Sequence, residues 1–264
     1  MSHLSVNRDT CNRDGLCAQE CPIHLITLDA EGWPQAVPQA EDICIRCGHC
    51  MAVCPHQALS VGGMDPAAWT RVNHKLNPER DQVVQFLKSR RSVRLYKDEP
   101  VDRETLAQVL DVTRWSPTGI NIQPVNWLVY DSPEGVRRLA GMLAEHLRAI
   151  EFFPQMVAAW DAGKDAILRS APCVIIAHAW AENGRHAADC IAATTTLDLA
   201  ARAFGLGGCW AGILMMAARA GNEPLLAELA LPEGHAVFAA MMLGKPKHRY
   251  ALIPERKPIQ VEWR

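Results

Sequence analysis

The residues of this chain whose types and spacing could do the most chemistry are its cysteines. Seven of the ten lie between Cys11 and Cys54. "CIRCGHCMAVCP", Cys44 to Pro55, is an uninterrupted C-x2-C-x2-C-x3-C-P run. Soft thiolates at that spacing suit an iron–sulfur cluster, the first three closing on one face of a cubane. Gly48 lets the loop turn tightly around an inorganic core. Paired C-x-x-C also builds structural zinc sites, but seven cysteines with two Cys-Pro endings fit zinc poorly. "CNRDGLCAQECP", Cys11 to Pro22, has the same spacing with one change: Asp14 stands where the second cysteine belongs.

The two runs are copies. Cys11, Cys17 and Cys21-Pro22 recur as Cys44, Cys50 and Cys54-Pro55, offset by 33 residues throughout. The segment Val6–Gly62 resembles a bacterial two-cluster ferredoxin, in which the fourth cysteine of each run ligates the other cluster. The resemblance implies one [4Fe–4S] cluster held by Cys44, Cys47, Cys50 and Cys21. A second would be held by Cys11, Cys17, Cys54 and whatever Asp14 provides. Three readings of Asp14 stay open: a carboxylate ligand, weaker for iron than thiolate; no ligand, leaving a [3Fe–4S] cluster; or a solvated surface residue with that cluster lost. The retained Cys11, Cys17 and Cys54 argue against the third.

Beyond the cysteines, "SRRSVRLY" (Ser89–Tyr96) sets Arg90, Arg91 and Arg94 around Ser92 just after a helical pattern. Guanidinium forks with a hydroxyl make a phosphate clamp, although an Arg-rich helix end standing alone is commonly a solvated face. "SPTGINIQP" (Ser116–Pro124) follows. Dinucleotide and Walker fingerprints are missing: "GLGGCW" (Gly205–Trp210) lacks the final glycine and follows a helix. Arg-Ser-x-Arg followed by Ser-Pro-x-x-x-Asn-x-Gln-Pro resembles the FMN-dependent nitroreductase family. "GLGGCWAG" and the ending "LGKPKHRYALIPERKPIQVEW" match its later landmarks, so the resemblance spans residues 79–264.

That resemblance implies an obligate homodimer with FMN at the subunit interface. Arg90, Arg91 and Ser92 would bind the phosphate and ribityl chain, completed by Arg256 with Lys257, or by Lys245 or Arg249. Arg94 would lie near the N1/O2 edge, where a cation stabilises reduced flavin. Ser116, Pro117, Thr118 and Gly119 would line the ring, Asn121 would bond its pyrimidine edge with Gln123 close by, and backbone around Ala211, Gly212 and Ile213 would face N5. The aromatic stretch Glu145–Lys164 would cover the flavin and set substrate specificity. The C-terminal strand would cross to the partner.

Elements must position these groups. The 264 residues allow one large or two ordinary domains, and a hydrophobic content of 49% supplies ample core. Charge shifts near residue 64: residues 1–63 hold seven carboxylates against three arginines. The expected division is a two-cluster ferredoxin domain over 1–63, a linker over 64–78 with a helical turn, and an FMN-binding domain over 79–264. The fold class is α+β: a small ferredoxin-like domain followed by a nitroreductase-type α+β sandwich. "HLITLDAEGWPQAV" predicts a hairpin turning at Glu31-Gly32, and "ALSVGG" a short strand. Further on, "NWLVYD", "APCVIIAHAW", "HAVFAAMMLG" and "PIQVEW" predict strands. "ETLAQVLDVTRW", "EGVRRLAGMLAEHLRAI", "RHAADCIAATTTLDLAARAFGLG" and "LLAELAL" predict helices.

A formal net charge of −2 gives no reason to expect nucleic acid. Apolar runs fall short of a membrane span, the N-terminus shows no apolar signal region, and ten cysteines without a disulfide pattern fit a cytoplasmic setting. Cys173, Cys190, Cys209 and His178 read as packing residues. His186 and Asp189 share a helix and fit catalysis or packing. The expected function is an iron–sulfur flavoprotein oxidoreductase. It would take electrons from an external ferredoxin or other low-potential donor and pass them to a small electrophilic acceptor such as a nitro compound, quinone or activated double bond. No side-chain acid is required for that chemistry. The alternatives are a dehydrogenase exporting electrons through the clusters, and a redox sensor without its own substrate.

Overall fold

The structure, a computed structural model, describes residues 3–264. The chain divides into two compact units. Residues up to Asn77 form the first together with Ile120–Ile122, and Pro78–Gly119 with Gln123–Arg264 form the second.

The first unit is made of short elements, because its cysteine loops leave little length between turns. Strand β1 (Leu4–Val6) is followed by a one-turn helix α1 (Leu16–Gln19), β2 (Ile26–Leu28), β3 (Pro34–Ala36), α2 (Ala40–Ile43), α3 (His49–Ala52) and β4 (Leu59–Val61). β1 pairs antiparallel with β4, Leu4 opposite Val61, and β2 with β3, Ile26 opposite Ala36. The β2–β3 turn is clamped by Asp29, whose carboxylate accepts from the N–H groups of Glu31 and Trp33 at 2.9 and 2.8 Å. Leu4, Ile26, Met51, Leu59 and Val61 close a small core around Cys17. Two single 3-10 turns follow, Pro66–Ala68 and His74–Leu76. The first is tied back by Gln57, whose amide donates to Pro66 O at 3.1 Å and accepts from Arg71 at 3.1 Å.

The second unit opens with α4 (Arg80–Lys88), started by a capping box of Glu79 with Gln82. Then come α5 (Arg103–Val112), β5 (Asn126–Tyr130), α6 (Pro133–Ala149), α7 (Pro154–Asp161), β6 (Cys173–Trp180) and α8 (Ala187–Ala203). The unit ends with β7 (Gly207–Trp210), α9 (Gly212–Arg219), α10 (Glu223–Leu229) and β8 (His235–Gly244). The antiparallel sheet has the order β5-β6-β8-β7.

Strand alternation sorts the core into two faces. Val174, Ile176, Ala240 and Met242 meet Leu139, Leu143 and Leu147 of α6, Leu214 of α9 and Leu225 of α10. Cys173, Ile175, Met241 and Leu243 meet Leu106 and Val109 of α5 and Leu197 and Ala201 of α8. The unit is therefore a helix–sheet–helix sandwich. Among the described residues no helix is long and apolar enough to cross a membrane.

Two local outcomes depart from the sequence expectation. "PIQVEW" is not a strand: residues 251–264 carry no regular structure, and Ile259 and Trp263 are 86% and 91% exposed. A strand needs a paired edge, and the described residues offer this segment none. The second concerns Val93–Lys97, which joins the edge of the sheet: Val93 N donates to Gly208 O at 2.9 Å and Lys97 N to Lys245 O at 2.9 Å. Its "VRLYK" alternation is overshadowed by the surrounding arginines.

Candidate cofactor sites

The two cysteine runs fold as near copies. Gly15 and Gly48 both adopt left-handed backbone, φ 74° and 75°, and each starts a one-turn helix. Arg13 and Arg46, at φ 60° and 51°, precede the Asp14 and Cys47 positions in the same relation. Cys21 Sγ accepts from Leu25 N at 3.2 Å, and Cys54 Sγ from Ala58 N at 3.4 Å. Three loop landmarks thus repeat with the sequence offset, so the Asp14 half retains the backbone of the full cysteine half. Asp14 Oδ1 accepts from Leu16 N at 3.1 Å.

Cys21, Cys44, Cys47 and Cys50 line one cavity, walled by Leu25 and Ile26 among others. Burial pushes the Cys50 thiol up to about 11, and the neighbouring Cys21, Cys47 and Cys17 add to it while the Met51 N–H opposes. Burial likewise raises Cys17, with the Ala18 N–H opposing and Cys11 and Cys54 contributing. Among the described residues no three His, Cys, Asp or Glu side chains are spaced to hold a single metal ion. The covers of the two loops differ. A Cβ on Gly48 would lie 2.7 Å from the Trp69 ring, and one on Gly15 would lie 3.1 Å from Leu28 Cδ1.

In the second unit the arginine motif lies where α4 ends and the chain turns onto the sheet edge. Arg90 Nη1 is 3.3 Å from Asp198 Oδ2. Arg91 donates to the carbonyls of Arg90 and Lys88 at 2.7 and 2.8 Å, while its Nε is buried without a partner. A buried N–H left unpaired costs about 1–3 kcal/mol, so Arg91 Nε suits a ligand acceptor. Lys88, Arg90, Arg91 and Arg256 line one cleft of about 530 Å³, with a single carboxylate, Glu255. That cleft brings together residues 165 positions apart along the chain and fits a phosphate. Ser92 O accepts from Tyr250 OH at 3.4 Å, and Arg94 is exposed.

The close approach of the motif to the sheet explains "GLGG". A Cβ on Gly207 would collide with Val93 Cγ2; one on Gly208 would sit 2.5 Å from Met241 Sδ and 3.0 Å from Asp198 Oδ1.

Ser116–Gly119 is tied to α8 by side chains. Ser116 Oγ donates to Thr196 Oγ1 at 2.9 Å, and Asp189 Oδ1 accepts from Gly119 N at 2.9 Å. Thr118 Oγ1 accepts from Gln123 N at 3.1 Å. Ser116, Thr118 and Gln123 share a cavity of about 340 Å³ with Trp127 and Arg114. Pro117 is exposed beside them. Ile120, Asn121 and Gln123 have φ of 43°, 57° and 53°, a cluster of left-handed non-glycine residues of the kind stored at functional loops. Asn121, grouped with the first unit, donates to the carbonyls of Ile45 and Arg46 at 3.1 and 3.2 Å. Ala211, Gly212 and Ile213 form the corner from β7 into α9; Ala211 N donates to Ala240 O at 2.8 Å. The motif residues therefore fall into separate patches: the arginine cleft, the Ser116–Gln123 loop, and the β7–α9 corner.

The sequence reading singled out Asp189 beside His186 but missed Asp198. Asp189 and Asp198 are buried on α8, at 7% and 5% exposure. Charged residues set into the small, apolar inward face of a long helix were the available signal. Other groups pack simply. Cys173 and Cys190 are both pushed up to about 12, chiefly by burial. His178 shares a 2.9 Å Nδ1–Nδ1 hydrogen bond with His235, and burial lowers its pKa, helped by that neighbour. In the Glu145–Lys164 excursion, Phe153, Met156 and Trp160 pack against the main core, and Arg137 stacks over Trp160.

Residues 87–245 match the Nitroreductase family, and residues 3–55 match the 4Fe-4S dicluster domain. The chain belongs to the nitroreductase family. A relative from Archaeoglobus fulgidus, provisionally named NADH dehydrogenase/NAD(P)H nitroreductase, is 28% identical over 167 residues, covering 63% of this chain and 87% of the relative. Among solved structures, a nitroreductase with bound FMN from Desulfitobacterium hafniense superposes with a TM-score of 0.57 at 23% identity, covering 68% of this chain and 97% of its own. A nitroreductase in complex with FMN from Desulfovibrio desulfuricans is 28% identical, with a TM-score of 0.50 and coverage of 69% and 94%. This member of the nitroreductase family is an oxidoreductase that carries a 4Fe-4S domain ahead of the family fold.

Proposed function

We propose that the chain passes electrons between an external low-potential donor and a small electrophilic acceptor, a nitro compound, quinone or activated double bond. Thiolate-bound iron–sulfur clusters and FMN would supply the redox chemistry. The observation that carries the reading is the cavity that gathers Cys21 from one run with Cys44, Cys47 and Cys50 from the other. Such an exchange of a fourth ligand is the two-cluster arrangement. Cys11, Cys17 and Cys54, with Asp14 at the remaining corner, would hold the second cluster.

On the flavin side, Arg90, Arg91 and Arg256 would hold the phosphate, with Ser92 and Arg94 near the ribityl chain. A family structure 28% identical to this chain is in complex with FMN, which supports the cofactor. Ser116, Pro117, Thr118, Gly119 and Gln123 would line the ring, with Asn121 at its edge. Ala211–Ile213 would present backbone to the reacting face. The patches are separate within one chain, which supports a homodimer whose second copy completes each site. The working division is 1–63 for cluster binding, 64–78 as linker and 79–264 for flavin.

Anaerobic purification with iron, sulfide and FMN quantification tests this reading, with EPR on the dithionite-reduced protein. The result expected is about eight irons, or about seven with a three-iron cluster, and about one FMN per chain. About four irons with one cluster signal would remove the two-cluster reading, and no flavin would remove the FMN reading.

A further inference from the structure

The loop proposed to line the flavin, Ser116–Gly119, is not held by its own backbone ladder. Its last residue is held by one buried carboxylate: Asp189 Oδ1 accepts the Gly119 N–H at 2.9 Å. The other oxygen, Oδ2, accepts from His186 Nδ1 at 3.1 Å. Asp189 and His186 are both buried, at 7% and 9% exposure. A carboxylate in that position costs free energy unless its lone pairs are filled, and here both oxygens have partners. The next residue, Ile120, has φ of 43°. A β-branched residue there is costly, and it directly follows the Gly119 that Asp189 holds.

We propose that Asp189, seated by His186, is the positioning residue for the flavin-lining loop, and that FMN affinity and flavin potential depend on its bond to Gly119. The proposal rests on the FMN reading above. The carboxylate contacts the loop and not the reacting atoms, so its part is to fix where the backbone at Thr118 and Gly119 stands. His186 at the start of α8 holds the carboxylate in one rotamer. An asparagine at 189 keeps an oxygen for Gly119 and turns its amide toward His186, which then accepts at Nδ1 in its other tautomer.

The test is anaerobic titration of deflavinated full-length protein with FMN, together with the flavin midpoint potential, for wild type, Asp189→Ala and Asp189→Asn. Asp189→Ala should raise the FMN Kd about tenfold and shift the potential, as expected for loss of one buried charge-assisted bond. Asp189→Asn should bring both back near wild type. A purely structural Asp189 would lower thermal stability in the alanine variant and leave Kd and potential unchanged, which overturns the proposal. Wild-type protein that binds no FMN sinks the flavin reading and this inference together, whereas wild-type binding with an unaffected alanine variant sinks this inference alone. If Asp189→Ala does not fold, hydrogen exchange decides. The Gly119 amide should be protected in wild type and in Asp189→Asn, and fast exchange there in wild type contradicts the anchor.

Discussion

Arg90 and Asp198 meet at 3.3 Å across 108 positions of sequence, with the carboxylate 6% exposed and the guanidinium 30%. Burial nevertheless wins at Asp198, raising its pKa above the ordinary carboxylate value while Arg90 and Arg202 pull it down. A raised carboxyl pKa means the folded protein binds the proton more tightly than the unfolded chain. Stability from this group is then greatest at low pH and is lost as pH rises from the unfolded value through the folded one. Asp198→Asn should therefore gain stability relative to wild type as pH increases from about 4 to 7. Paired thermal melts across that range check this, and a difference that shrinks with rising pH would contradict it.

The glycines beneath the arginine motif make a steric prediction. Gly207→Ala and Gly208→Ala each place a methyl group into occupied space, against Val93 and against Met241 with Asp198. Each should cost about 1–3 kcal/mol, the usual penalty for overpacking a core. Tm measurements check it. Gly207→Ala paired with Val93→Ala should recover part of the loss, and two independent, additive effects would argue against the contact.

The phosphate cleft predicts that removing its arginines costs FMN affinity. Arg91→Ala and Arg256→Ala should each weaken FMN binding by about tenfold or more, since bonds from charged donors contribute about 1.5–3 kcal/mol. Fluorescence titration of FMN into the deflavinated protein reads this directly. Unchanged affinity in both would move the phosphate elsewhere.

Asp14 predicts a spectroscopic change. Because the Asp14 loop repeats the Cys47 loop in its backbone, Asp14→Cys should be accepted without refolding. Cluster content should stay the same or rise by about one iron if the corner is vacant in the native cluster. The EPR signal of that cluster should change in either case. An identical spectrum would place Asp14 outside the coordination shell.

Gly48 joins two requirements, a φ of 75° and the space taken by Trp69. Gly48→Ala should reduce iron per chain and increase oxygen bleaching. Adding Trp69→Ala should restore part of the yield, because it removes the clash and leaves only the left-handed backbone cost of about 1 kcal/mol. Iron assays on the single and double variants check the coupling, and a double variant worse than Gly48→Ala alone would rule out the contact.

Much of this protein can be read along the chain. The cysteine spacing and its repeat, the hairpin at Asp29–Trp33 and the strands at Asn126–Tyr130, Cys173–Trp180 and His235–Gly244 all appear as local pattern. Local pattern suffices there because turns, strand alternation and chelate loops are set by residues a few positions apart. "PIQVEW" shows the limit: its alternation is strand-like, yet a strand exists only with a neighbour to bond, and pattern does not supply one. The pairing of Arg90 with Asp198 and the seat of Gly119 on Asp189 were decided by tertiary structure, whereas the gathering of Cys21 with Cys47 was already implied by the ferredoxin resemblance. The two carboxylate contacts depend on which helix face or loop packs against which, an outcome of burying the whole apolar set at once. The chain alone names the chemistry; packing decides which carboxylates hold the arginine motif and the loop in place.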